Sequence, residues 1–151
     1  MKYILLASFY LLFTCHIHGQ ERCIGSNTDP IVIFAEVLPV SSITLDALES
    51  IINGSMNVND FERPAHDMIY LTFTINCKGE ALNYKYLRPV DPKLQARLIG
   101  VFTENLSWKP AYQNGRALDF QTTIAIKMEE SSFNILDEKD YQKEKKGKKK
   151  R

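Results

Sequence analysis

The most regular stretch of the chain begins at Met68. Ile69, Leu71, Phe73, Ile75 and Cys77 alternate with Tyr70, Thr72, Thr74 and Asn76. A period of two over nine residues predicts a strand with one buried face. Lys78-Gly79-Glu80 predicts a tight turn, and Ala81 to Arg88 the return strand of a hairpin, with Leu82, Tyr84 and Tyr86 on one side. The period then changes. Asp91 can accept the free N–H groups of a first helical turn, and Pro92 has the right φ to open it. Leu94, Leu98, Val101, Phe102 and Asn105 recur on one helical stripe, widened by Ile99 and Leu106. Ser107-Trp108-Lys109-Pro110 is expected to end that helix, because the residue before Pro is pushed out of the helical region.

After Asn114-Gly115 the alternation returns from Ala117 to Met128. Leu118, Phe120, Thr122, Ile124, Ile126 and Met128 face one way. Asp119, Gln121, Thr123, Ala125 and Lys127 face the other. Upstream, the β-branched run from Ile31 to Val40, ended by Pro39, predicts an extended segment. A further helix is expected from about Ile43, capped by Ser41-Ser42 and stopped at Asn53-Gly54, with Leu45, Leu48, Ile51 and Ile52 inward. These elements assemble as an α+β fold: a three-stranded antiparallel sheet with two helices on one face and an extra N-terminal strand. Trp108 is expected to plug the end of the core, Pro110 to stop the helix and Gly115 to turn the chain. That order places Ala117–Met128 at a sheet edge, unless the 131–136 segment or the Ile31–Val40 strand covers it.

Composition adds an address. Met1-Lys2 followed by the apolar run Tyr3 to Phe13 and a small residue, Gly19, resembles a secretory signal over residues 1–20. The alternatives are an uncleaved anchor and a lipid-attached Cys15. The remainder divides into an arm, strand and first helix over 21–63, a domain over 64–130 and a charged tail over 131–151. Residues 143–151 hold seven basic residues and one acidic, whereas the whole chain is only +1. So dense a run predicts a disordered tail, a solubilising extension or one that touches anionic membrane surfaces. Export argues against nucleic acid. It also leaves Cys23 and Cys77 as an even pair in an oxidising compartment, a disulfide candidate. The alternative is a buried Cys77 and a loop thiol at Cys23.

The residues predict no catalysis, no cofactor and no metal site. His66 is the single histidine after the leader, and a lone loop histidine is ordinarily surface polar. Two cysteines without histidines at ligand spacing do not make a zinc site. No glycine-rich phosphate loop is present. Asn53-Gly54-Ser55 and Asn105-Leu106-Ser107 match the short glycosylation acceptor pattern.

Taken in order, the Lys78-Gly79-Glu80 hairpin, the apolar helix, Trp108-Lys109-Pro110-Ala111, Asn114-Gly115 and the final alternating strand resemble the C-terminal domain of TonB, over roughly Pro64 to Glu129. The resemblance implies a periplasmic or cell-envelope module that serves transmembrane transport. It would bind an extended peptide of a protein partner, such as an outer-membrane receptor, by adding it to the sheet as a strand. The partner-binding edge would be Arg116, Leu118, Asp119, Gln121, Thr123, Ala125 and Lys127. The chain departs from a TonB transducer in having no long Pro-rich linker. A free-standing binding module is therefore expected. The alternatives are a structural domain that homodimerises through its edge strand, and an anchored transducer component should the leader be retained.

Overall fold

A computed structural model of the protein describes residues 34–136. The signal segment 1–20, Cys23, the start of the Ile31–Val40 strand and the tail beyond residue 136 lie outside the described residues. The class is α+β, with two α-helices and antiparallel sheets among the described residues.

The main sheet contains β2 (Met68–Ile75), β3 (Ala81–Tyr86), β7 (Phe120–Met128) and β8 (Phe133–Leu136), in the order β3-β2-β7-β8. It therefore has four strands, not three. The added strand is Phe133–Leu136, at the start of the stretch expected to be tail. Phe133 and Ile135 alternate inward and are buried. Burying them gains more than leaving so short an apolar pair in water.

Both helices bury their stripes in one core. Leu48 and Ile52 of α1 (Leu45–Ser55) meet Leu94, Leu98, Val101 and Phe102 of α2 (Pro92–Asn105). The same core contains Ile69, Leu71, Phe73, Ile75, Ile124, Ile126 and Phe133 from the sheet. Phe73 is central on the hairpin side, with ring centroids 5.3 Å from Tyr84, 6.0 Å from Phe102 and 5.6 Å from Trp108. Trp108 is partly buried and packs against this end of the core.

Several local expectations are corrected. α1 starts later than Ile43, because Thr44 caps it by accepting from the Ala47 N–H at 3.2 Å. Ser42 instead exchanges hydrogen bonds with Ser107. Gly54 does not stop α1; the helix continues to Ser55 and leaves through an extended Met56. α2 is capped by Asp91 as expected but ends at Asn105, well before Pro110. Leu106 closes its last turn onto the Phe102 carbonyl and turns extended. That exit lays β4 (Trp108–Lys109) against β1 (Val40–Ser41). The described part of the N-terminal strand therefore pairs outside the main sheet.

The stretch Ala117–Met128 is two strands, not one. Asn114 and Gly115, at φ +50° and +70°, form the tight turn between β5 (Ala111–Gln113) and β6 (Arg116–Leu118). Both residues tolerate the left-handed region, which suits a two-residue hairpin loop. The chain breaks at Asp119, and β7 then pairs with β2 from Phe120 to Lys127.

Candidate functional site

An open sheet edge is the feature with most potential chemistry here, because its backbone donors and acceptors seek partners. The residues expected to form such an edge are dispersed by the fold. Arg116 is exposed on β6, opposite Gln113. Leu118 is buried with Ala111 and Phe120 in a small separate cluster. Asp119 is half-buried, and its Oδ1 accepts the Cys77 N–H at 2.9 Å. It anchors the end of the hairpin and does not face an open edge. Ala125 and Lys127 sit under β8, opposite Leu136 and Asn134. Lys127 also pairs with Glu129 at 3.3 Å. Only Gln121 and Thr123 keep outward backbone without a partner among the described residues. β7 is an interior strand with a short uncovered flank.

The Glu129 N–H bonds the Ser132 carbonyl at 2.8 Å, which fixes the phase of the β7–β8 ladder. By antiparallel alternation, Phe133 and Ile135 direct their backbone groups away from β7. This edge is occupied by side chains. Asn53 accepts from the Phe133 N–H at 2.7 Å and donates to its carbonyl at 2.8 Å. Glu49 accepts from the Ile135 N–H at 2.8 Å. Glu49 and Asn53 are one helical turn apart on α1, so one helix face supplies both caps. The Asn53 amide, part of a glycosylation acceptor pattern in the sequence, is spent on the β8 edge.

The opposite edge, β3, has no such cover among the described residues. Leu87 N–H bonds the Tyr70 carbonyl at 3.0 Å, so Tyr86 points its backbone outward. By the same phase Ala81 does too. Neither makes an outward backbone hydrogen bond among the described residues. Asn83, at φ +56°, forms a bulge opposite Phe73. The bulge reverses side-chain parity: Ala81, Tyr84 and Tyr86 pack inward, while Leu82 turns out and is 46% exposed. Sequence alternation alone put Leu82, Tyr84 and Tyr86 on one side, and the bulge separates them.

Between this edge and α2 runs a groove of about 450 Å³, lined chiefly by Tyr84, Tyr86, Leu87, Arg88, Gln95 and Ile99. Gln95 and Ile99 are successive turns of α2 and share a face. Tyr86 donates its hydroxyl to the Gln95 carbonyl at 3.0 Å, and the Gln95 amide donates to the Val90 carbonyl at 2.7 Å. These bonds fix the floor. Burial raises the hydroxyl pKa of Tyr84, and of Tyr86 further, with Tyr84's proximity adding to the latter. Both are neutral donors at ordinary pH. Leu87 is 62% exposed at the rim.

Two other features are less organised. The N-terminal arm exposes Phe34, Val37, Leu38 and Val40, held to the β5–β6 hairpin by Glu36 and by a Val37–Tyr112 bridge. His66 is exposed in a turn at φ +64°, beside Asp67, whose carboxylate pairs with Arg63. No cluster of metal-ligating side chains occurs among the described residues. Cys77 is disulfide-bonded; the other cysteines of the chain, Cys15 and Cys23, lie outside the described residues. No family model, curated protein or solved structure matches the chain.

Proposed function

We propose that the protein is a non-catalytic interaction module that takes an extended peptide of a protein partner by strand addition, at the outer edge of β3. The observation that carries this reading is the groove beside that edge. Outward backbone at Tyr86 borders a groove lined by two tyrosines and Ile99, and the same strand edge continues to outward backbone at Ala81, neither bonded among the described residues. Main-chain pairing supplies affinity in this mode, and pockets for alternate side chains supply selectivity. The pattern resembling the TonB C-terminal domain supports strand addition as the mode, but β8 covers half of the edge that the resemblance would use. A disulfide at Cys77 favours an oxidising compartment and so supports export.

The test is a backbone-amide NMR titration of the oxidised full chain with short extended peptides, each matched by a copy N-methylated at alternate residues. Shifts at Ala81–Leu87, Gln95 and Ile99 that vanish for the methylated copy are expected. Shifts confined to Gln121–Ile124, or no shifts anywhere, would reject the β3 site.

A further inference from the structure

The two faces that flank β3 differ in chemistry, and that difference specifies the peptide. On the helix side the groove presents Tyr84, Tyr86, Leu87 and Ile99, with Gln95 and, at its border, Arg88 as its polar members. No carboxylate among the described residues lines it. On the other face, Lys85 lies opposite Thr72 and is exposed. Arg88, which borders the groove, follows at the end of the strand and turns its guanidinium to within 5.2 Å of the centre of the Tyr70 ring. Neither cation makes an ion pair among the described residues. The carboxylates that bracket β3 in sequence are already engaged. Glu80 accepts from the Asn76 amide at 2.6 Å. Asp91 accepts the Glu62 and Lys93 N–H groups, which hold its pKa below the usual carboxylate range.

A strand added to β3 would send alternate side chains to these two faces, because successive residues of a strand point oppositely. We infer that the natural partner is an acidic, amphipathic extended segment. Its apolar or aromatic residues enter the groove beside Tyr84, Tyr86 and Ile99. Its alternate positions carry aspartate or glutamate toward Lys85 and Arg88. This assignment rests on strand addition at β3 and names the chemistry recognised there. The exposed cations speed encounter and discriminate by charge; the groove and the main chain hold the peptide.

Three synthetic peptides of equal length test it by fluorescence anisotropy, with the amide NMR map recorded in parallel: alternating glutamate and leucine, lysine and leucine, and glutamate and serine. The glutamate–leucine peptide should bind about tenfold or more tightly than either other. Its advantage over the lysine peptide should shrink as salt is raised. The double replacement Lys85→Glu with Arg88→Glu, at exposed positions, should reverse the charge preference. Equal affinity for the two leucine peptides at low salt would overturn the acidic assignment while leaving strand addition standing, provided shifts at Ala81–Leu87 persist. Absence of those shifts with all three peptides would remove both. Pairing of β3 with a second copy, seen as a dimer by sedimentation that the peptide does not dissociate, would also overturn it.

Discussion

The two outer strands of the sheet are treated differently by the same chain. At β8 the outward backbone groups of Phe133 and Ile135 are met by Asn53 and Glu49 of α1. At β3 the outward groups of Ala81 and Tyr86 meet no side chain among the described residues, although α2 runs nearby. Gln95 could serve there as Asn53 does at β8, but its amide turns to the Val90 carbonyl. An exposed strand invites unwanted pairing, and covering it with side chains is one common remedy. The remedy is applied to one edge and withheld from the edge that borders a groove. That asymmetry is the physical basis for placing recognition at β3.

The largest test of the comparison is Phe133→Ala. Phe133 is fully buried beneath the capped edge and sits 6.4 Å from the Phe61 ring. Its loss should cost about 3–5 kcal/mol in urea unfolding. A cost below about 1 kcal/mol would mean that β8 is not part of the folded core. Next is Gly79→Ala, in the turn that leads into β3. Gly79 has φ +83°, and an added Cβ would lie 2.0 Å from the Trp108 carbonyl oxygen. The expected loss is about 2 kcal/mol or more, with β3 amides losing protection first.

Removing both caps, Glu49→Ala with Asn53→Ala, should cost about 1–3 kcal/mol. It should also create self-association by sedimentation velocity, because a second edge becomes open. Unchanged sedimentation would show that the caps do not guard the edge. The smallest effect is Tyr86→Phe, about 0.5–1.5 kcal/mol for the bond to Gln95. It carries a pH signature. Tyr84 and Tyr86 are raised above the ordinary 10.0, so the unfolded chain releases these protons first. Stability that is present below pH 10.0 should therefore fall as pH rises through and above it. Replacing both tyrosines by Phe should flatten that fall in denaturation curves taken across the range.

Much of this fold is legible where the information is local. The hairpin turn at Gly79, the Asp91-Pro92 helix start and the Asn114-Gly115 turn each declare themselves in two or three residues. The inward set of β2 follows from alternation alone. What was hidden depends on partners distant in sequence. Phe133 and Ile135 are two apolar residues in a polar stretch; the sequence offers 131–136 only as one of two possible covers for Ala117–Met128, and docking against α1 and β7 selects it as a strand. The status of Ala117–Met128 as an edge falls with that discovery. The parity of β3 turns on Asn83, which alternation alone places within the strand but which, as an asparagine, tolerates the left-handed φ it adopts at the bulge. The groove joins Tyr84 and Tyr86 to Gln95 and Ile99. The short Leu87–Asp91 connection hints that β3 and α2 are neighbours, but not that their backbone edge is left uncovered.

Amide hydrogen exchange of four residues, with and without the glutamate–leucine peptide, tests the central claim most directly. Phe133 and Ile135 should exchange slowly in the free protein, because Asn53 and Glu49 hold their N–H groups. Ala81 and Tyr86 should exchange quickly and become protected only when the peptide is bound. Slow exchange at Ala81 and Tyr86 in the free monomer, or peptide protection that falls on Phe133 and Ile135 instead, would contradict it.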